Sequence, residues 1–88
     1  MKECLRILVI DKNLETENFL NKTMKDYIST IETATCIEDG IEKIPGLNPD
    51  LIFLDLGLPA KNFQETINKI KIINPYTVIF LLLDNDKY

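Results

Sequence analysis

The chain has 88 residues, of which 45% are hydrophobic and 27% are charged, with a net charge of −4 and no histidine. This composition is typical of one small folded domain and excludes intrinsic disorder as the default state. The lysines are scattered, so the chain lacks the basic patch of a nucleic-acid binder, and we expect no nucleic-acid partner. No apolar run is long enough for a membrane-spanning helix or a secretory signal, so we expect a cytoplasmic protein with no membrane partner.

The chain begins with a strand-like segment and then a helix-like one. Arg6–Ile10 is a nearly unbroken aliphatic run, which is typical of a parallel strand covered on both faces. Asn13 is a candidate cap for a helix over about Leu14–Ile28. The apolar residues of that helix recur at helical spacing and predict one buried stripe. The stripe consists of Phe19, Leu20, Met24, Tyr27 and Ile28.

A shorter strand and a shorter helix follow. Ile31–Thr35 has mixed polar and apolar positions, which suits a strand at the edge of a sheet. Ile37–Ile44 predicts a second helix that stops at Pro45-Gly46, because these two residues together break helices. Cys4 precedes the first strand and Cys36 follows the second. In neighbouring parallel strands the two cysteines lie at opposite ends, too far apart for a disulfide, so we expect free thiols.

The second half of the chain repeats the alternation. Leu51–Leu54 is the next apolar strand and ends at Asp55, Phe63–Ile73 predicts a third helix, and Thr77–Leu83 predicts a fourth strand. Strands and helices that alternate with short joins predict one α/β domain built on a parallel sheet. Asp11 follows the first strand as Asp55 follows the third. Both therefore stand at the carboxyl edge of the sheet, where α/β proteins place their ligands.

The pair Asp11 and Asp55 admits two hypotheses. Two carboxylates beyond neighbouring strands make an oxygen-rich pocket that suits Mg²⁺, which takes few protein carboxylates and keeps several waters. A carboxylate beside that ion can also attack phosphorus and form an aspartyl phosphate. On the other hypothesis Asp11 caps a helix and Asp55 merely ends a strand, and the spacing alone does not separate the two.

Three stretches of the sequence resemble the receiver domain of bacterial response regulators. They are Ile7–Asp11, Glu32–Ala34 with Glu38–Glu42, and Pro49–Pro59. The third is the most specific, because an aliphatic strand, an aspartate and a proline four residues later occur together. The resemblance implies a flavodoxin-like (CheY-like) fold with sheet order 2-1-3-4 and three helices. It makes Asp55 the match to the phosphate-accepting aspartate and makes Asp11, Asp55 and the Gly57 carbonyl the match to the Mg²⁺ ligands.

Several features depart from the family pattern. Lys12 stands where the family has a second acid that binds the metal, and its ammonium could pair with Asp55 in place of the ion. Leu82 stands where a threonine or serine hydroxyl reads the phosphoryl group. By the same comparison, the last helix-strand-helix unit is absent, together with the lysine that its strand carries.

These departures favour a receiver-like module that acts mainly through protein interaction or dimerisation, with Asp55 an inherited acceptor position. The alternative is a working Mg²⁺-dependent receiver, phosphorylated at Asp55 by a histidine kinase or a small donor. A conventional enzyme is disfavoured, because the first strand-to-helix turn has no glycine to cradle a diphosphate and no nucleophile stands beside a base.

The fourth strand is the predicted interaction surface. It carries no charge or proline that would protect an edge strand, and it is apolar on both faces. We therefore expect a homodimer, or a larger assembly, that buries Val78, Phe80 and Leu82.

Overall fold

The structure is a computed structural model that describes residues 4–83. Four strands alternate with three α-helices in this range, and a single 3-10 turn, Lys25–Tyr27, joins the first helix to the second strand. The elements are β1 Leu5–Ile10, α1 Glu15–Met24, β2 Ile28–Ala34, α2 Ile37–Leu47, β3 Leu51–Asp55, α3 Phe63–Ile73 and β4 Val78–Leu82. None of these helices is long and apolar enough to cross a membrane.

The sheet has the topology that the sequence predicted. All neighbouring strands are parallel, in the order β2-β1-β3-β4. β1 lies inside the sheet, and its residues Ile7–Ile10 are at most 1% exposed. A strand covered on both faces needs apolar residues at successive positions, which explains its continuous aliphatic run. The chain leaves β1 for β2 on one side and reaches β3 on the other, so the strand order reverses between β1 and β3.

Helices cover the two faces of the sheet unequally. Residues of β1, β3, α2 and α3 form the larger buried cluster, which is Leu8, Ile10, Ile37, Ile44, Leu47, Ile52, Leu54, Leu58 and Ile70. The smaller cluster on the α1 side consists of Ile7, Val9 and Leu20, with Phe53 among its partly buried neighbours. The core is therefore thicker beneath α2 and α3, and the α1 side leaves part of the sheet exposed.

The predicted first helix is too long. α1 ends at Met24, because the backbone tightens into the 3-10 turn and Ile28 already begins β2. Leu20 is buried, but Phe19 and Tyr27 are 64% and 55% exposed, so the predicted stripe is wrong at both aromatics. The N-cap position is Leu14 rather than Asn13. The Asn13 side chain instead accepts a hydrogen bond from the Glu15 N–H at 3.0 Å.

The predicted second helix is too short. α2 continues through Pro45 and Gly46 to Leu47. Pro45 lies near the end of the helix, where its missing N–H affects one hydrogen bond and the preceding turns keep theirs. The helix ends at Asn48, whose φ of 51° is left-handed and whose N–H donates to the Ile44 carbonyl at 2.7 Å. Asparagine tolerates this conformation better than most residues and so replaces the glycine usual at a helix end.

The remaining predictions need smaller changes. The third helix, Phe63–Ile73, is confirmed with the same bounds, and the Asn62 side chain caps it by accepting from the Gln64 and Glu65 N–H groups. β2 begins three residues earlier than predicted, and β4 is shorter by one residue at each end. Both cysteines are free thiols, as predicted.

Candidate functional site

The candidate site lies at the carboxyl ends of β1, β3 and β4. Asp11 follows β1, Asp55 is the last residue of β3, and Leu82 pairs with Asp55 in the sheet register. An open cleft at this edge is lined by Asp11, Lys12, Asn13, Glu15, Thr16, Asp55, Gly57, Leu81, Leu82 and Leu83. The fold therefore brings together the two acids, the glycine and the leucine that the sequence singled out.

Asp11 is almost buried, at 9% exposure, and is held by its own loop. Its N–H donates to the Ala34 carbonyl at 2.9 Å, which fixes the end of β1 against β2. One carboxylate oxygen accepts from the Asn13 N–H at 3.0 Å, and the other accepts from the Thr16 hydroxyl at 3.2 Å. Asp11 thus organises the β1–α1 loop, and each of its oxygens keeps a lone pair for a further ligand.

Thr16 is the site residue that the sequence analysis missed. Its hydroxyl reaches the Asp11 carboxylate from the first turn of α1. The sequence position of Thr16 could have indicated this contact. A hydroxyl residue in the first turn of a helix can reach back to an acid at the end of the preceding strand.

Asp55 is held by the loop that follows it. Its Oδ1 accepts the Gly57 N–H at 2.8 Å. A Cβ at Gly57 would lie 3.2 Å from the same oxygen, so the absence of a side chain lets the backbone turn closely around the carboxylate. Gly57 therefore orients Asp55, in addition to the metal-ligand role that the resemblance assigns to its carbonyl.

The electrostatics of the cleft raise the pKa of Asp55. Partial burial is the largest cause, because it removes water from the charged form. The negative charge and the side chain of Asp11 raise the pKa further, whereas the Gly57 N–H and the positive charge of Lys12 lower it. Asp11 therefore disfavours the ionised form of Asp55, and a cation placed between the two carboxylates would relieve that repulsion.

Lys12 acts on Asp55 from a distance. Its side chain is exposed, and the one ion pair found within residues 4–83 joins Lys43 to Glu32 at 3.7 Å. The direct Lys12–Asp55 pair suggested by the sequence is therefore absent. The flexible lysine side chain extends toward water from a loop whose backbone is held by Asp11. Its positive charge acts on Asp55 by Coulomb attraction without a direct contact.

The donors available to a divalent cation are few. Asp11 and Asp55 supply carboxylates, and Gly57 supplies a backbone carbonyl in the same cleft. Within the described range, no group of three or more His, Cys, Asp or Glu residues could hold a metal ion. Mg²⁺ usually binds through one or two carboxylates and keeps several waters, so this set fits a weakly held, largely hydrated ion.

The apolar side of the cleft belongs to β4. The Leu82 side chain lines the cleft, and its carbonyl accepts the Leu56 N–H at 3.0 Å, which ties the end of β4 to the loop after Asp55. A leucine side chain has no hydrogen-bond donor or acceptor, so this wall cannot contact a phosphoryl group through a hydroxyl.

A second exposed feature continues from that wall. We define the fourth-strand surface as the Val78, Phe80 and Leu82 side chains, which share one face of the sheet, together with the outer backbone edge of β4. Val78 and Phe80 are 50% and 45% exposed. The Phe80 ring stacks on Phe53 with a centroid distance of 5.1 Å and an interplanar angle of 17°. The surface is therefore apolar and anchored by an aromatic pair.

Comparison with known proteins places these features in a wider context. No protein-family model matches the chain. It is 33% identical over 79 residues to a protein-glutamate methylesterase/protein-glutamine glutaminase of Bacillus licheniformis, an alignment that covers 88% of this chain and 22% of that relative. The chain therefore corresponds to only about a fifth of that protein's length.

Solved structures show the same fold. The receiver domain of NtrC4 from Aquifex aeolicus matches with a TM-score of 0.70 and 23% identity, over 97% of this chain and 68% of that one. The response regulator domain of Thermotoga maritima CheB matches with a TM-score of 0.68 and 24% identity, over 92% of this chain and 61% of that one.

Proposed function

We propose that this chain, which belongs to the receiver-domain family of two-component response regulators, acts mainly as a protein-interaction and dimerisation module. The observation that carries the proposal is the position of Leu82 in the Asp55 cleft, where the family has a hydroxyl that contacts the phosphoryl group. A leucine side chain cannot hydrogen-bond to a phosphoryl group. A phosphate on Asp55 would therefore have no contact through which to change the position of β4. Lys12 supports the same proposal, because it replaces an acidic metal ligand with a positive charge.

Exposure to a phosphoryl donor tests this proposal. The chain is incubated with acetyl phosphate and Mg²⁺, and its intact mass is measured beside that of the Asp55→Asn variant. We expect no stoichiometric adduct, since the cleft lacks the second acid and the hydroxyl. A stoichiometric phosphoryl adduct on the unsubstituted chain that Asp55→Asn loses would contradict the proposal.

The alternative is a working Mg²⁺-dependent receiver with Asp55 as the acceptor. One observation favours it. Asp11, Asp55 and Gly57 line one cleft, and burial together with the negative charge of Asp11 raises the pKa of Asp55. A divalent cation would relieve the repulsion between the two carboxylates. The Asp55 carboxyl is followed by NMR with and without Mg²⁺. A titration shifted to lower pH by millimolar Mg²⁺ supports the alternative, and an unchanged titration supports the interaction module.

The partners that we propose are a second copy of this chain and a signalling protein such as a histidine kinase. The second copy is supported by the fourth-strand surface, which is apolar, exposed and without charge. The kinase is supported by family membership alone. Sedimentation of the 88-residue chain at micromolar to submillimolar concentration should show a reversible dimer. A compact monomer throughout that range would contradict the self-association.

A further inference from the structure

We infer that Thr16 is a positioning residue for a divalent cation in the cleft at Asp55. Its hydroxyl holds the Asp11 carboxylate in place, so that the two acids can bind one ion together. The receiver resemblance assigns the two carboxylates and the Gly57 carbonyl to the ion, and it assigns no role to Thr16. The inference goes beyond the proposed function, because it holds whether or not Asp55 accepts a phosphoryl group.

Asp11 carries a carboxylate that has lost most of its water. The residue is 9% exposed, and a buried charge is stable only where hydrogen-bond donors replace the lost water. The Asn13 N–H lies 3.0 Å from Oδ1 and the Thr16 hydroxyl lies 3.2 Å from Oδ2. The two oxygens are therefore held from different elements, Oδ1 by the loop after β1 and Oδ2 by the first turn of α1.

The loop between β1 and α1 presents the Thr16 hydroxyl to Asp11. The Asn13 N–H donates to Asp11, and the Asn13 side chain accepts the Glu15 N–H at 3.0 Å, so two successive turns fix the chain up to the start of α1. Threonine is branched at Cβ, which leaves its side chain few rotamers in a helix. The Thr16 hydroxyl therefore stands against Asp11 before an ion binds.

The carboxylates of Asp11 and Asp55 repel each other. Both residues line one cleft, and the negative charge of Asp11 is among the causes that raise the pKa of Asp55. Without an ion, this repulsion favours rotation of the Asp11 carboxylate away from Asp55. The hydrogen bonds from Asn13 and Thr16 oppose that rotation. The Thr16 hydroxyl thus helps to keep Asp11 where an ion shared with Asp55 needs it.

A residue placed in this way affects an ion without contacting it. Groups that hydrogen-bond to the ligands of a metal fix the orientation of those ligands, and their loss typically lowers the affinity for the metal by about 10–100-fold. Mg²⁺ demands near-ideal geometry, so its binding is sensitive to the orientation of each carboxylate. The bond from Thr16 leaves Oδ2 of Asp11 with a further lone pair, which the ion can use.

Titration of three variants with magnesium chloride tests the inference. Thr16→Val keeps the branched shape and removes the hydroxyl, whereas Thr16→Ser keeps the hydroxyl and removes the methyl group. Thr23→Val is the matched control, because the Thr23 hydroxyl lies on the same helix, donates to the Phe19 carbonyl at 2.8 Å and does not line the cleft. The amide shifts of Asp55 and Gly57, followed by NMR at constant ionic strength, give the dissociation constant for Mg²⁺.

The hydroxyl and the methyl group of Thr16 predict different results. We expect Thr16→Val to raise the dissociation constant for Mg²⁺ by about tenfold or more. Thr16→Ser and Thr23→Val should bind Mg²⁺ as the unsubstituted chain does. Rescue by serine separates positioning from packing, since a packing role would follow the methyl group. Circular dichroism verifies that both valine variants fold.

Four results would overturn the inference. They are unchanged affinity in Thr16→Val, failed rescue by Thr16→Ser, an equal loss in Thr23→Val, and an unsubstituted chain that binds no Mg²⁺. The last result would leave the proposed interaction module standing, because that function needs no ion.

The unsubstituted chain provides a second measurement, which applies even if Thr16→Val does not fold. Its Thr16 methyl resonance should shift with the same Mg²⁺ dependence as the Gly57 amide, while the Thr23 methyl resonance stays unchanged. A Thr16 methyl resonance that does not respond to the ion would contradict the inference.

Discussion

The two edges of the sheet differ in chemistry. β2 carries Ser29, Thr30, Glu32 and Thr33, and Glu32 forms an ion pair with Lys43 of α2 at 3.7 Å. β4 reads Val-Ile-Phe-Leu-Leu, without a charged or hydroxyl side chain. Charges and polar residues protect an edge strand from pairing with another chain, because a partner strand would have to desolvate them. The comparison teaches that β2 carries the polar and charged residues that protect an edge strand, whereas β4 carries none.

The largest effect is expected from a charge on β4. Phe80→Lys should weaken the proposed dimer by at least about tenfold, because burial of the fourth-strand surface would remove water from the ammonium. Ser29→Lys places the same charge on the exposed part of β2 and should leave the dimer unchanged. Sedimentation measures the dissociation constant, and circular dichroism confirms that both variants fold. Equal weakening by the two substitutions would remove the distinction between the edges.

A large effect is also expected where β4 meets the acidic cleft. Lys12→Asp combined with Leu82→Thr supplies the second acid and the hydroxyl together, so the variant should take up a phosphoryl group from acetyl phosphate in the presence of Mg²⁺. Intact mass measures the adduct, and adding Asp55→Asn to the same variant is the control. If the double variant stays unmodified, residues other than Lys12 and Leu82 limit the chemistry.

A smaller effect concerns the pH dependence of stability. Burial and the charge of Asp11 raise the pKa of Asp55 in the folded chain. A carboxyl with a raised folded pKa binds its proton more tightly when folded, so its contribution to stability is greatest below the unfolded pKa. That contribution is lost as the pH rises through the folded pKa.

Two variants check this sign. Asp55→Asn should raise the melting temperature at neutral pH and have little effect at acidic pH, where Asp55 is protonated. Asp11→Asn should lower the pKa of Asp55, followed by NMR, because it removes the like charge. A drop in melting temperature at neutral pH for Asp55→Asn would show that the Gly57 contact outweighs the burial of the charge.

The smallest effect is expected on the protected edge. Glu32→Ala removes the ion pair with Lys43, whose two side chains are 39% and 41% exposed, so the free energy of unfolding should fall by no more than about 1 kcal/mol. Chemical denaturation measures this change. Sedimentation should show the same dimer as before, and the appearance of larger assemblies would indicate that Glu32 alone keeps β2 from pairing.

The comparison also shows where sequence reasoning succeeds. The aliphatic runs of β1 and β3 each end at an acid, so the positions of Asp11 and Asp55 at one edge follow from the alternation of strands and helices. The missing charges of β4 and the polar residues of β2 are equally visible in the sequence. These features depend on the order of residue types along short segments, which the sequence contains in full.

Tertiary structure decided the remaining features, because they depend on contacts between distant segments. The helix α2 continues through Pro45 to Leu47, where Leu47 packs in the core, although the Pro45-Gly46 pair predicts an earlier end. The loop geometry set the Thr16 hydroxyl against Asp11 and left Lys12 exposed, so the expected Lys12–Asp55 pair does not form. Strand register placed Leu82, among three consecutive leucines, beside Asp55. The sequence by itself determined that Asp11 and Asp55 stand at one edge of the sheet, because each follows an apolar strand, and only the packed sheet decided which side chains touch them.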